Sequence, residues 1–104
     1  MRGRRSVLAA RAIWRISEDA AIPAPILYKA LGAIKPEEPD VLTFQLVTQT
    51  LEEMGPAAAS GSSVLVKFIN EKRNKWCDRR RVLDVLKAIK PEEAERISLK
   101  VPYN

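Results

Sequence analysis

Apolar residues recur at three- and four-residue spacing along most of this chain, and prolines and glycines cut that pattern into short lengths. The combination points to a compact, mainly helical domain. A first helix is expected from Ser6 to Ile16, with Val7, Ala10, Ile13 and Trp14 inward and Leu8, Ala12 and Ile16 widening the apolar arc. Arg4, Arg11 and Arg15 fall within about 40° of one another on the wheel, as a stripe opposite that core. A second, short helix is expected within Ala21 to Gly32. Pro25 suits its first helical position and Gly32 a left-handed stop. Ala33 to Glu38 reads as a connector.

The third helix is expected to begin near Pro39 or Asp40 and to end before Gly55-Pro56. Phe44, Val47, Leu51 and Met54 share one face, widened by Val41 and Leu46. Gln45, Thr48, Gln49 and Glu52 take the opposite side. Pro56 to Ser63 is a small-residue loop. Val64-Leu-Val-Lys-Phe-Ile69 is β-branched and aromatic, so it reads as a strand. Asn70 to Lys75 is then a basic turn. Asp78 suits the N-cap of a fourth helix with Val82, Val85, Leu86 and Ile89 inward, preceded by a short strand at Lys75 to Cys77. The competing reading extends a second strand from Lys75 to Leu83. Pro91 opens a last short helix with acids in its first turn. Residues 1–5 form a basic arm and residues 98–104 an extended tail. The expected fold class is therefore α+β, mainly α with a small β element, in one domain spanning 6–97.

Ala33-Ile-Lys-Pro-Glu-Glu38 recurs as Ala88-Ile-Lys-Pro-Glu-Glu93. Sustained similarity over three or more units is missing, so this is not a repeat architecture. It reads as two uses of one junction, a helix end followed by a Pro-led helix start.

Composition removes several chemistries. The 104 residues include no His and one Cys, Cys77. That excludes a Ser–His–Asp triad, a Cys–His pair, a His-ligated metal and an internal disulfide. The acidic pairs Glu37-Glu38, Glu52-Glu53 and Glu92-Glu93 do not converge, because adjacent helical residues point in different directions. No glycine-rich phosphate loop is present. No enzyme activity, cofactor or metal is expected. Arg11 and Arg15 break the apolar stretch after Arg5, so neither a signal peptide nor a membrane span is expected. A lone cysteine fits a reducing, intracellular setting. Few Asn, Gln and Met residues beside many charges lean towards a heat-adapted source.

Charge is segregated. Residues 1–15 carry five Arg and no acid, residues 16–63 seven acids and two Lys, and residues 64–104 eleven bases and six acids. Two basic ends flanking an acidic middle predict one positive face if the ends meet.

The order helix, short helix, longer helix, strand and basic turn, anchored on Val41-Leu-Thr-Phe-Gln-Leu-Val-Thr-Gln-Thr-Leu-Glu-Glu-Met-Gly55, resembles the winged helix-turn-helix DNA-binding proteins over residues 6–77. The Leu-Glu-x-x-Gly ending looks like the one that precedes the wing strand. The connector Ala33 to Asp40 is longer than the usual turn, and the third helix holds no Lys or Arg. The resemblance implies that this helix enters the major groove, with Thr43, Gln45, Thr48 and Gln49 facing the bases.

Phosphate attachment is expected from the arginines Arg4, Arg5, Arg11 and Arg15 and from the cluster Lys67, Lys72, Arg73, Lys75, Arg79, Arg80 and Arg81. Trp76, inside that cluster, either stacks on a base or packs under the wing. The expected function is non-catalytic binding of DNA or RNA. The alternatives are a structural subunit of a ribonucleoprotein or capsid, and a protein-interaction adaptor. A homodimer or larger assembly would form through the acidic middle or the C-terminal tail.

Overall fold

A computed structural model describes residues 2–35, 40–71 and 74–98, with the side chains of Arg2, Trp76 and Ser98 outside the description. It is all-helical: α1 (Arg2–Ser17), α2 (Pro23–Ala33), α3 (Val41–Met54), a 3-10 segment (Gly55–Gly61), α4 (Ser62–Asn70), α5 (Trp76–Ile89) and α6 (Pro91–Ser98). Among the described residues there is no β-strand, and Lys35 alone carries an isolated bridge. The expected α+β, winged-helix-like fold is therefore incorrect. No helix among the described residues is long and apolar enough to cross a membrane.

The correction centres on Val64 to Ile69. Strand propensity is a weak prior that packing overrides. The buried positions here are Ser62, Leu65 and Ile69, a helical period, while Lys67 is exposed. A strand would have placed Lys67 on the same face as Leu65 and Ile69. The short strand expected at Lys75 to Cys77 is instead the entry to α5. Asp78 is not its N-cap; Lys75 holds that position, and Asp78 lies in the first turn, where the helix dipole favours a carboxylate.

Other boundaries shift for local reasons. Helix α1 already includes residues 2–5. Pro23, not Pro25, occupies the start of α2, and Gly32 lies inside that helix rather than stopping it. The positive-φ glycine is instead Gly55, with φ 56° and ψ −137°, a conformation outside the left-handed helical region but open to glycine, where α3 gives way to the 3-10 segment. Asp40 caps α3: its carboxylate accepts from the Thr43 backbone N–H at 3.1 Å and the Thr43 hydroxyl at 2.7 Å. Pro91 opens α6 as the sequence predicts. The other hexapeptide junction at Pro36 to Glu38, and the tail 99–104, lie outside the described residues.

Helix α3 sits at the centre, packed by α1 and α2 on one side and α5 on the other; α5 also receives α4 and α6. Val7, Leu27, Val47, Leu51, Leu65, Val82, Val85 and Leu86 are fully buried where these helices meet. The Cα envelope measures 38 × 31 × 15 Å. With helix axes about 8–10 Å apart, the thin dimension admits no more than two layers. Many side chains are therefore half-buried along grooves between helices.

Candidate nucleic-acid interface

The two basic segments do approach one another, but across the acidic end of α3. Arg15 on α1 meets Glu53 at 3.3 Å, and Arg81 on α5 meets Glu52 at 2.8 Å. Arg11 and Arg15 share a shallow cleft with Gln49, Glu52 and Glu53. Further along α1, Arg4 reaches the capping carboxylate Asp40 at 3.3 Å. Arg80 pairs with Asp84 at 3.8 Å, and Arg79 Nε donates to the Ile69 carbonyl at 2.8 Å. Arg5 is exposed on α1. Exposed ion pairs of this kind contribute only about 0–1 kcal/mol. They nevertheless orient the guanidinium groups towards the protein's own carboxylates.

Base readout by α3 divides in two. Gln45 and Gln49 are exposed. Thr43 and Thr48 are buried, and their hydroxyls are spent inside the domain: Thr43 donates to Asp40, and Thr48 donates to the Phe44 carbonyl at 2.9 Å. Of the face expected to meet bases, only the two glutamines reach solvent. Thr43 hydrogen bonds, hydroxyl and backbone together, with the Arg4 guanidinium added, hold the Asp40 carboxyl below its ordinary 3.8. Asp40 is therefore a carboxylate committed to the cap.

A different feature emerges at the opposite end of α3. Helices α2 and α4 diverge to leave a groove of 430 Å³ lined by Lys29, Gly32, Ile34, Lys67 and Phe68. It runs on, through Ile34, Phe68 and Asn74, into a depression between the starts of α3 and α5 lined by Lys35, Asp40, Phe44, Lys75 and Asp78. Phe44 and Phe68 form its apolar floor, with ring centroids 5.8 Å apart. Beside it, the Asn74 side-chain amide donates to the Phe68 carbonyl at 3.0 Å. Glu71 also lines the groove.

Lys29, Lys35, Lys67 and Lys75 are exposed on this rim. None of them makes an ion pair within 4.0 Å among the described residues. Lys67 and Lys75 belong to the cluster the sequence singles out. Lys29 and Lys35 do not, because they lie in the acidic middle segment and only the fold brings them alongside. Lys72 and Arg73, which join Glu71 to Asn74 in the chain, and the Trp76 side chain lie outside the described residues. Among the described residues no three His, Cys, Asp or Glu side chains gather where they could hold a metal ion. The chain matches no family model, no curated protein and no solved structure.

Proposed function

We propose that this protein binds nucleic acid without catalysing a reaction, and that the lysine-rimmed groove between α2, α4 and the start of α5 is its principal contact. The observation that carries this reading is the placement of Lys29, Lys35, Lys67 and Lys75 on one groove, without ion pairs among the described residues. Lysine is a compact point charge on a flexible stem, so it reaches phosphates without demanding a fixed geometry. The arginines of α1 and α5 are a secondary surface, since Arg15 and Arg81 are already paired with Glu53 and Glu52 and a phosphate there must displace those carboxylates. The half-buried Phe68 at the groove floor offers an aromatic edge to an unstacked base. Gln45 and Gln49 remain the candidates for hydrogen bonding to base edges.

Anisotropy titrations with labelled single-stranded DNA, duplex DNA and an RNA hairpin test the assignment. Lys29→Glu combined with Lys67→Glu is expected to weaken binding by about tenfold or more, because each reversal removes one phosphate contact and adds a repulsion. Arg81→Gln is expected to weaken it by about threefold or less. Absence of binding to all three probes by the unaltered protein would remove the proposal. An Arg81 effect larger than that of the lysine pair would move the interface to the α1–α3–α5 face.

A further inference from the structure

We propose that two copies of this chain pair through α1, side by side and antiparallel, with Ala12 at the two-fold axis. The inner arc of α1 buries Val7 and Ala10 completely. Its outer arc carries Leu8, Ala9, Ala12, Ile13 and Ile16, all exposed, together with Arg5. These residues lie within about 140° on the wheel, opposite the core. Ile16 is 85% exposed, the most exposed large apolar side chain among the described residues, and Leu8 is 47% exposed. An apolar stripe on the solvent side of a helix marks a contact surface.

Charge selects the occupant and its direction. Helix α1 contains no acid, and the chain turns at its end through Glu18 and Asp19, both exposed. A parallel partner would set arginine against arginine and align the two helix dipoles. An antiparallel partner, with Ala12 opposite itself, sets Leu8 against the partner's Ile16 and Arg5 against the partner's Glu18 and Asp19. The face thus carries both halves of its own complement, which is what an isologous two-fold contact requires. Ala9 and Ala12 at the centre let the helix axes approach to about 8 Å. A lipid surface fits less well, because the two alanines add little apolar area and the two acids would face anionic headgroups.

Glu18 supplies an independent observation. It is the one non-glycine residue with positive φ among the described residues, at 56°. Its N–H bonds the Trp14 carbonyl at 2.8 Å, closing the last turn of α1. Glycine is the usual occupant of such a stop, and a side chain there costs about 1 kcal/mol or more. A carboxylate kept at that cost, at the end of the stripe where Arg5 of a second copy would lie, is accounted for by the pairing.

Cross-linking tests both the pairing and its direction, in a Cys77→Ser background that leaves no other thiol. Ala12→Cys is expected to give a disulfide-linked dimer under mild oxidation. Leu8→Cys and Ile16→Cys proteins are expected to link to each other when mixed, and to link poorly when oxidised alone. Ile16→Glu is expected to weaken self-association in sedimentation velocity by about tenfold or more, with the melting temperature unchanged at dilutions where the wild type is monomeric, since the side chain is 85% exposed in the single chain. Arg5→Glu is expected to weaken it also, and Glu18→Arg in the same chain to restore it. A monomer at every concentration over a hundredfold range, linkage of Leu8→Cys to itself, or vesicle binding without self-association would each overturn the proposal.

Discussion

The hydroxyl of Tyr28 donates a 2.6 Å hydrogen bond to the carbonyl of Ala58, tying α2 to the 3-10 segment that follows α3. The ring lies so close over Gly61 that a Cβ at that position would overlap it. Tyr28→Phe keeps the ring but leaves a buried carbonyl unpaired, and is expected to cost about 1–2 kcal/mol. Gly61→Ala must displace the ring and is expected to cost about 1–3 kcal/mol. Burial pushes the Tyr28 phenol from 10.0 up to about 12. The folded state therefore holds this proton where the unfolded chain releases it. The advantage of the wild type over Tyr28→Phe is full below pH 10 and lost as pH rises from 10 through about 12. Chemical denaturation of both proteins across that range checks it.

Asp40 gives the opposite pH dependence. Removing its cap with Asp40→Ala is expected to destabilise by about 1 kcal/mol, and Asp40→Asn by less, because an amide oxygen still accepts from Thr43. The carboxyl titrates below its ordinary 3.8 in the folded protein, chiefly through the Thr43 hydrogen bonds. Its contribution is complete above the unfolded value and is lost as pH falls through the lower folded one. The difference between wild type and Asp40→Ala should shrink in acid, measured by urea denaturation at neutral pH and at pH values below 3.8.

Helix α4 separates what propensity suggests from what packing selects. Leu65→Ala is expected to cost about 2–5 kcal/mol as a fully buried truncation, while Lys67→Ala should stay within about 0.5 kcal/mol of wild type. Equal losses would show that the two side chains share a buried face, as in a strand. The sequence does contain the deciding clue. Lys67 sits two residues from both Leu65 and Ile69, and only a helical twist exposes it while burying them. The β-branched run at Val64 to Ile69 outweighs that clue when the segment is read alone, and a lone strand also lacks a pairing partner. Phe44, Val47, Leu51 and Met54 on α3, and Val82 to Ile89 on α5, are legible because no competing local preference obscures their period.

Gly32 offers a test that separates stability from binding. It lies in the last turn of α2 on the groove wall, with nothing within 4 Å of where a Cβ would stand. Gly32→Ala is expected to stabilise the helix by up to about 1 kcal/mol. Gly32→Phe should project a ring into the groove and weaken oligonucleotide binding with little change in melting temperature. Unchanged affinity for Gly32→Phe would place the ligand elsewhere.

The groove was only partly legible before the fold was known. Lys67 and Lys75 stand in an evident basic cluster, but Lys29 and Lys35 are diluted by acids in their own segment and reach the rim only because α2 packs beside α4. The reverse error affects Arg15 and Arg81. Their carboxylate partners Glu53 and Glu52 lie 38 and 29 residues away, too far apart in sequence for a local reading to pair them. Thr43 and Thr48 point to base readout on a helical wheel alone. Both are buried in the folded domain, where α3 packs against α1, α2 and α5, and a wheel drawn for one helix does not show which of its faces the neighbouring helices cover.

The salt dependence of duplex DNA binding tests the central claim most directly, measured for wild type and for Lys29→Gln, Lys35→Gln, Lys67→Gln and Lys75→Gln singly. Four phosphate contacts predict a log–log slope of about −3.5 for the wild type, and each substitution should flatten it by about one. A wild-type slope near zero, or four substitutions that leave the slope unchanged, would contradict a polyanion seated on this groove.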